Sequence, residues 1–267
     1  MDEREALARN LRQLVELDRG LGIEFVLKPA STPTVPVVAA KPTDKPVAEA
    51  PSAVVPVTSA KAPPVTATSP SASADSGPDS LEKIALQISA CRACGLCETR
   101  RSTVPGEGNP HAELLFVGEG PGADEDASGR PFVGAAGQLL TKMIIAMGLR
   151  REDVFIANIV KCRPPGNRTP EPSEVGACLG YLRRQIAVLK PKVICALGNT
   201  PLRALMNDDQ LGITRMRGKK LQFDGITLIP TFHPSYLLRN EEAKKPCWDD
   251  LKVVLKELGR ELPKRGG

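Results

Sequence analysis

The chain has 267 residues, seven of them cysteine, with 36 Lys+Arg against 31 Asp+Glu and a formal charge of +5. An odd cysteine count, an N-terminus that opens Met-Asp-Glu-Arg-Glu and the lack of a long apolar run argue against a disulfide-stapled secreted fold and a membrane-spanning helix. They predict a protein of a reducing, cytoplasmic compartment with no membrane association, where a C-x-x-C signals metal or redox chemistry before it signals a disulfide.

In residues 1–28, Leu7, Leu11, Leu14 and Leu17 recur at spacings of four, three and three, with Arg4, Arg9, Arg12 and Glu16 between them. That spacing predicts one short amphipathic helix. A lone helix of this length is marginal in water, so it docks on a protein partner, docks on the chain's own body, or forms nothing stable. Residues 29–80 hold 11 of the 25 prolines and no aromatic side chain. A stretch of Pro, Ala, Val, Thr and Ser neither sustains backbone ladders nor buries a core, so it reads as a disordered, partly polyproline linker. Residues 1–80 take 8 of the basic and 10 of the acidic residues, leaving 28 and 21 in the body, 81–267. That excess suits a polyanionic partner without requiring one.

Within the body, Cys91-Arg-Ala-Cys94 can present two thiolates to one metal from a single turn. Cys162 follows an apolar run and Cys178 comes sixteen residues later, so two stretches of chain could close around one centre. Cys97 makes a second C-x-x-C with Cys94 and leaves the register open, and four thiolates would suit zinc as well as an iron-sulfur cluster on spacing alone.

Short apolar runs at Leu114 to Gly118, Val154 to Ile159, Val193 to Leu197 and Ile226 to Pro230 alternate with helical patterns near 135–148, 173–190 and 200–207. The alternation predicts an α/β fold: three α/β/α layers around a central, four-stranded, mainly parallel sheet. Ligands in such folds bind beyond the carboxyl ends of the strands, and three motifs fall there. Gly118-Glu119-Gly120-Pro121-Gly122 follows the first strand; it is neither a dinucleotide fingerprint nor a phosphate loop, and no helical pattern starts directly after it. Its glycines allow backbone to approach a flat ligand. Asn158 places a carboxamide in an apolar strand, either as a satisfied core residue or as an amide reading a donor–acceptor edge. His233, one of two histidines, follows the fourth strand in Thr231-Phe232-His233-Pro234-Ser235, either as a satisfied side chain or as a functional one.

These segments, with Gly129-Arg130-Pro131-Phe132-Val133-Gly134, Asn158-Ile159-Val160-Lys161-Cys162-Arg163-Pro164-Pro165 and His233-Pro234-Ser235-Tyr236-Leu237-Leu238-Arg239, resemble a family 4 uracil-DNA glycosylase over about Leu81 to Leu258. The resemblance implies a monomeric, monofunctional enzyme that flips uracil from double- or single-stranded DNA and hydrolyses its glycosidic bond, leaving an abasic site. It implies one 4Fe-4S cluster on Cys91, Cys94, Cys162 and Cys178. Phe132 would stack on the base, Asn158 would read its O4 and N3 edge, Glu119 and Gly120 would contribute backbone donors, and His233 would hydrogen-bond O2. Gly120 stands where other uracil glycosylase families keep an aspartate, so Asn167 and Glu125 are the candidates to orient the water. Tyr236, Leu237 and Leu238 would wedge into the duplex with Arg239 on phosphate, and Arg163, Arg168, Arg215, Arg217, Lys219 and Lys220 could add backbone contacts, the alternative for 215–220 being a solvated basic turn. The resemblance implies no Schiff-base lysine. A relative that traps the sugar on a histidine does so from an inserted basic loop; only Arg130 and Pro131 separate Gly129 from Phe132 here, so turnover is expected. A different class of protein, a nucleic-acid-binding or polymerase-associated module, would explain the N-terminal segments without catalysis.

Overall fold

The structure, a computed structural model, describes residues 78–262. The amphipathic helix expected in residues 1–28 and nearly all of the linker lie outside the described residues.

Six strands form one sheet: β1 (Glu107–Gly108), β2 (Leu114–Gly118), β3 (Phe155–Asn158), β4 (Val193–Leu197), β5 (Leu221–Phe223) and β6 (Ile226–Thr231). Their order is β1-β3-β2-β4-β6-β5. The four inner strands run parallel and coincide with the four apolar runs, while β1 and β5 add antiparallel edges. The expected strand count of four is therefore corrected to six. The edges escape an apolar-run reading because β1 is two residues long and β5 is only partly buried.

Helices cover both faces. The described helices are α1 (Leu81–Ala90), α2 (Leu96–Thr99), α3 (Ala123–Ser128), α4 (Ala135–Ala146), α5 (Pro172–Leu189), α6 (Asn199–Met206), α7 (Ile213–Met216), α8 (Pro234–Arg239) and α9 (Lys244–Glu257). Side chains alternate across the pleat. Leu115, Val117, Ile194 and Leu228 pack with Leu182 and Ile186 of α5 and Leu202 and Leu205 of α6. Leu114, Phe116, Cys195 and Ile229 pack instead with Leu140 and Ile144 of α4 and Leu251 and Val254 of α9. Each fully buried aliphatic side chain contributes about 1.5–3 kcal/mol of transfer free energy, so both faces anchor the strands whose ends carry the site.

Local chemistry sets the helix ends. Ser80 caps α1 by accepting the Lys83 N–H at 3.1 Å. The α5 helix opens with Pro172 at its first turn and Glu174 accepting the Glu171 N–H at 2.8 Å, and it stops at Lys190 in the left-handed conformation, φ 48°. The expectation that no helix follows the glycine run is overturned: α3 begins at Ala123, directly after Gly122. Its sequence, Ala-Asp-Glu-Asp-Ala-Ser, has no apolar stripe, and Glu125 starts it by accepting the Gly122 N–H at 3.0 Å. Among the described residues no helix is long and apolar enough to cross a membrane.

Candidate active site and cysteine-lined cavity

The carboxyl ends of β2, β3 and β6 bring together three of the residues singled out from sequence. Gly118 ends β2 directly opposite Asn158, the last residue of β3. A Cβ at Gly118 would run into both Asn158 Oδ1 and the Phe132 ring, so only glycine lets the amide and the ring meet there. The Phe132 and His233 ring centroids lie 5.7 Å apart. Asn158 is 1% exposed, and its Oδ1 is the buried side-chain oxygen or nitrogen that lacks a hydrogen-bond partner among the described residues. Leaving a buried acceptor unpaired costs about 1–3 kcal/mol, so the protein's own hydrogen bonds do not account for this atom as a satisfied core group.

His233 caps α8. Its Nδ1 accepts the Ser235 N–H at 3.1 Å and lies 2.8 Å from the Ser235 hydroxyl. Burial, helped by the nearby Arg239 charge and opposed by Glu125, lowers its pKa to about 4. The imidazole is therefore neutral near pH 7. Because Nδ1 spends its lone pair on a backbone N–H, the ring proton sits on Nε2, leaving that nitrogen as a donor.

The remaining pocket candidates are tied more tightly than sequence suggests. Glu119 takes a short hydrogen bond from the Thr200 hydroxyl at the start of α6. Gly120 comes close to Val160, where a Cβ would stand 2.8 Å from its Cγ2. Both Glu125 oxygens are engaged, one by the Gly122 N–H and the other by the Val133 and Gly134 N–H groups at 2.9 and 3.0 Å. Asn167 is exposed, at φ 56°, and accepts from Arg163 Nε at 2.7 Å.

Three expectations about DNA-contacting residues change. Leu237 is 2% exposed and packs with Ala243, Cys247, Leu139 and Met143, so Tyr236 and Leu238, 40% and 48% exposed, are the apolar side chains α8 shows to solvent, with Arg239 beside them. Arg217 is not a free phosphate contact, because it pairs with buried Asp250 at 2.8 Å and stacks over Phe232. Arg168 likewise holds Glu174 through two bonds, of 2.8 and 2.7 Å. Lys161, a lysine within the matched motifs, is buried, and its Nζ donates to the Asn158 carbonyl at 2.8 Å and to Gln185 Oε1 at 2.7 Å. Burial lowers its pKa to about 8, with Cys178 acting in the opposite sense.

A cavity that Lys161 also lines is bounded by Cys91, Cys94, Cys97, Cys162 and Cys178, together with Arg100 and Tyr181. Arg100 Nη1 donates to Cys162 Sγ at 3.1 Å and the Lys161 N–H to Cys178 Sγ at 3.3 Å. Burial raises the Cys178 thiol to about 11 and also pushes Cys94 and Cys162 upward. These thiols stay protonated unless a cation displaces the protons, as a bound metal does. Among the described residues no three such side chains converge closely enough to share a single ion. Cys195 and Cys247 lie buried and apart from this set.

A neutral histidine, an aromatic ring and an orphaned amide oxygen thus gather beyond the strand ends, the arrangement expected of a pocket that takes a flat, polar-edged ligand. Residues 105–252 match the uracil DNA glycosylase superfamily, to which the chain belongs. The sequence is 50% identical over 184 residues to a Type-4 uracil-DNA glycosylase of Thermotoga maritima, covering 68% of this chain and 96% of the relative. Type-4 uracil-DNA glycosylases of Sulfurisphaera tokodaii and Archaeoglobus fulgidus are 47% and 42% identical, over 66% and 69% of this chain and 84% and 96% of their own lengths. The resemblance read from the motifs is borne out.

Sequence reasoning missed Arg151, whose guanidinium grips the Pro131 and Phe132 carbonyls, as well as Thr200 and Gln185. No local motif announces them, since each acts on a residue 19 or more positions away.

Proposed function

We propose that this protein excises uracil from double- and single-stranded DNA by hydrolysing the N-glycosidic bond, leaving an abasic site without cutting the strand. The observation that carries the reading is the orphaned Asn158 Oδ1, buried against Phe132 and near a neutral His233. A uracil flipped out of the stack and laid on Phe132 would give its N3–H to that oxygen, while the amide N–H would meet O4. Cytosine, with no hydrogen on N3 and an amino group at C4, leaves the buried acceptor unpaired and adds a donor-to-donor clash. Discrimination by unpaired buried groups is strong.

In the reaction the C1′–N1 bond breaks and its electron pair leaves with the base, placing negative charge on N1 and O2. His233 Nε2–H donates to O2 as that charge grows, a preorganised contribution of about 3 kcal/mol. A water oxygen bonds to C1′ from the opposite face, and the proton it loses ends on solvent or on the released uracil. Glu125 is the better of the two candidates to hold that water. Its charge acts on His233, and its carboxylate offers about four lone-pair sites of which three backbone N–H groups take three. Tyr236 and Leu238 supply the apolar wedge and Arg239 the phosphate contact.

The cysteine cavity fits a 4Fe-4S cluster on Cys91, Cys94, Cys162 and Cys178. The sulfurs ring a space instead of meeting at one point, and N–H donors already aim at two of them. Bound there, the cluster would supply a structural crosslink between the segment before the sheet and the Cys162–Cys178 stretch. A reducing cytoplasm suits seven unpaired cysteines. In this reading the enzyme acts as a monomer, and residues 1–28 stay open to docking on a protein partner, on the chain's own body, or on neither.

The test is incubation of the purified, metal-loaded protein with a duplex carrying one labelled uracil, with and without alkali, beside a thymine duplex. Breakage at uracil that needs alkali supports the reading. Uncut uracil DNA after alkali, with tight duplex binding, would favour the binding-module alternative.

A further inference from the structure

Phe132 has φ 52°, the left-handed region that a bulky side chain rarely occupies, yet its ring is 6% exposed and set against Asn158 and His233. Something must hold that backbone. Gly137, in the first turn of α4, lies so close under it that a Cβ would overlap the Phe132 carbonyl. Arg151, nineteen residues on in sequence, adds a second hold. Its Nη1 donates to the Phe132 carbonyl at 3.1 Å and its Nη2 to the Pro131 carbonyl. Nη1 also reaches Thr141 Oγ1 at 3.2 Å, and Nε and Nη2 bind Glu107 Oε1 at 3.0 and 2.8 Å. Glu107 in turn holds Arg130 at 2.8 Å. Burial opposes ionisation of Glu107, but the bonds from Arg130 and Arg151 prevail and keep it charged.

We propose that Arg151 is a positioning residue for the excised base: by gripping the Pro131 and Phe132 carbonyls it fixes the Phe132 ring in the plane on which uracil stacks. The inference rests on the stacking role given to Phe132 above. A planar fork with five N–H donors can hold two carbonyls, a hydroxyl and a carboxylate at once, and an ammonium cannot. The guanidinium touches no base; it acts through Phe132.

The experiment uses the full chain with its metal loaded and compares wild type, Arg151→Met, Arg151→Lys, Phe132→Ala and the Arg151→Met/Phe132→Ala double variant. Two quantities are read: single-turnover excision from a uracil duplex, and inhibition by free uracil. Arg151→Met is expected to slow excision by about tenfold or more and to weaken inhibition by free uracil in parallel. Arg151→Lys should recover little of either. The double variant should be within about twofold of Phe132→Ala, because both changes remove one interaction. If Arg151→Met does not fold, Thr141→Val and Glu107→Gln loosen the same clamp and enter the same cycle. Losses that multiply in the double variant, or slowed excision with unchanged uracil inhibition, would overturn the positioning role alone. A Phe132→Ala protein with normal excision and normal uracil inhibition would overturn the stacking role and this inference with it.

Discussion

The strand-end pocket and the cysteine cavity are linked through Lys161, whose Nζ donates to the Asn158 carbonyl and whose backbone N–H reaches Cys178 Sγ, yet they are assembled on opposite principles. The pocket is largely settled by its own hydrogen bonds: Glu125 takes three backbone N–H groups, the Ser235 N–H fixes the tautomer of His233, and Asn158 Oδ1 is the buried side-chain atom without a partner among the described residues. The cavity gathers thiols that burial pushes up, with N–H donors aimed at two of them. Under the proposed function the difference is one of purpose: a preorganised pocket would meet charge that appears only during reaction, whereas thiols held protonated would need a bound cation to become ligands.

If that division is right, changes in the two regions should separate stability from rate. The largest effect is expected for Cys162→Ala, which should lose bound iron and destabilise the fold by roughly 4 kcal/mol or more, read from iron content and the denaturation midpoint. His233→Ala should slow single-turnover excision by about 10²–10³-fold and keep its iron, with a denaturation midpoint lowered only by the loss of the α8 cap and so by less than in Cys162→Ala. Loss of iron, or a midpoint drop as large as that of Cys162→Ala, would erase the distinction.

A subtler consequence concerns pH. Burial, reinforced by Arg239, holds His233 near 4, while an unfolded histidine titrates near 6.5. Excision rate should therefore show no break at pH 6.5 from this residue. The unfolded chain takes up a proton below 6.5 that the folded one refuses until about 4, so this histidine's contribution to stability is full above 6.5 and is lost as pH falls through that window. A pH–rate profile between 5 and 8 and acid unfolding of wild type against His233→Gln check both signs. The smallest effect is expected for Arg239→Ala, which should reduce the salt dependence of duplex binding by about one counterion and leave uracil selectivity intact.

Much of the pocket was legible because its residues sit at strand ends, where alternating apolar runs point. The four parallel strands follow from those runs, and Asn158 and His233 stand out as polar residues closing them. What stayed hidden depends on pairs distant in sequence. Leu237 reads as an exposed wedge until α8 is seen lying on Leu139 and Cys247. Arg217 reads as a phosphate contact until Asp250, thirty-three residues away, claims it. The α3 helix carries no apolar periodicity to detect and is started by the Glu125 carboxylate instead.

The most direct test is Asn158→Leu, in which single-turnover excision of uracil and equilibrium binding to the same duplex are measured side by side. The account predicts that excision falls by at least about 100-fold while duplex affinity changes by less than about threefold, since DNA binding is carried mainly by phosphate contacts elsewhere. Excision that survives the loss of the amide, or a parallel collapse of duplex binding, would contradict it.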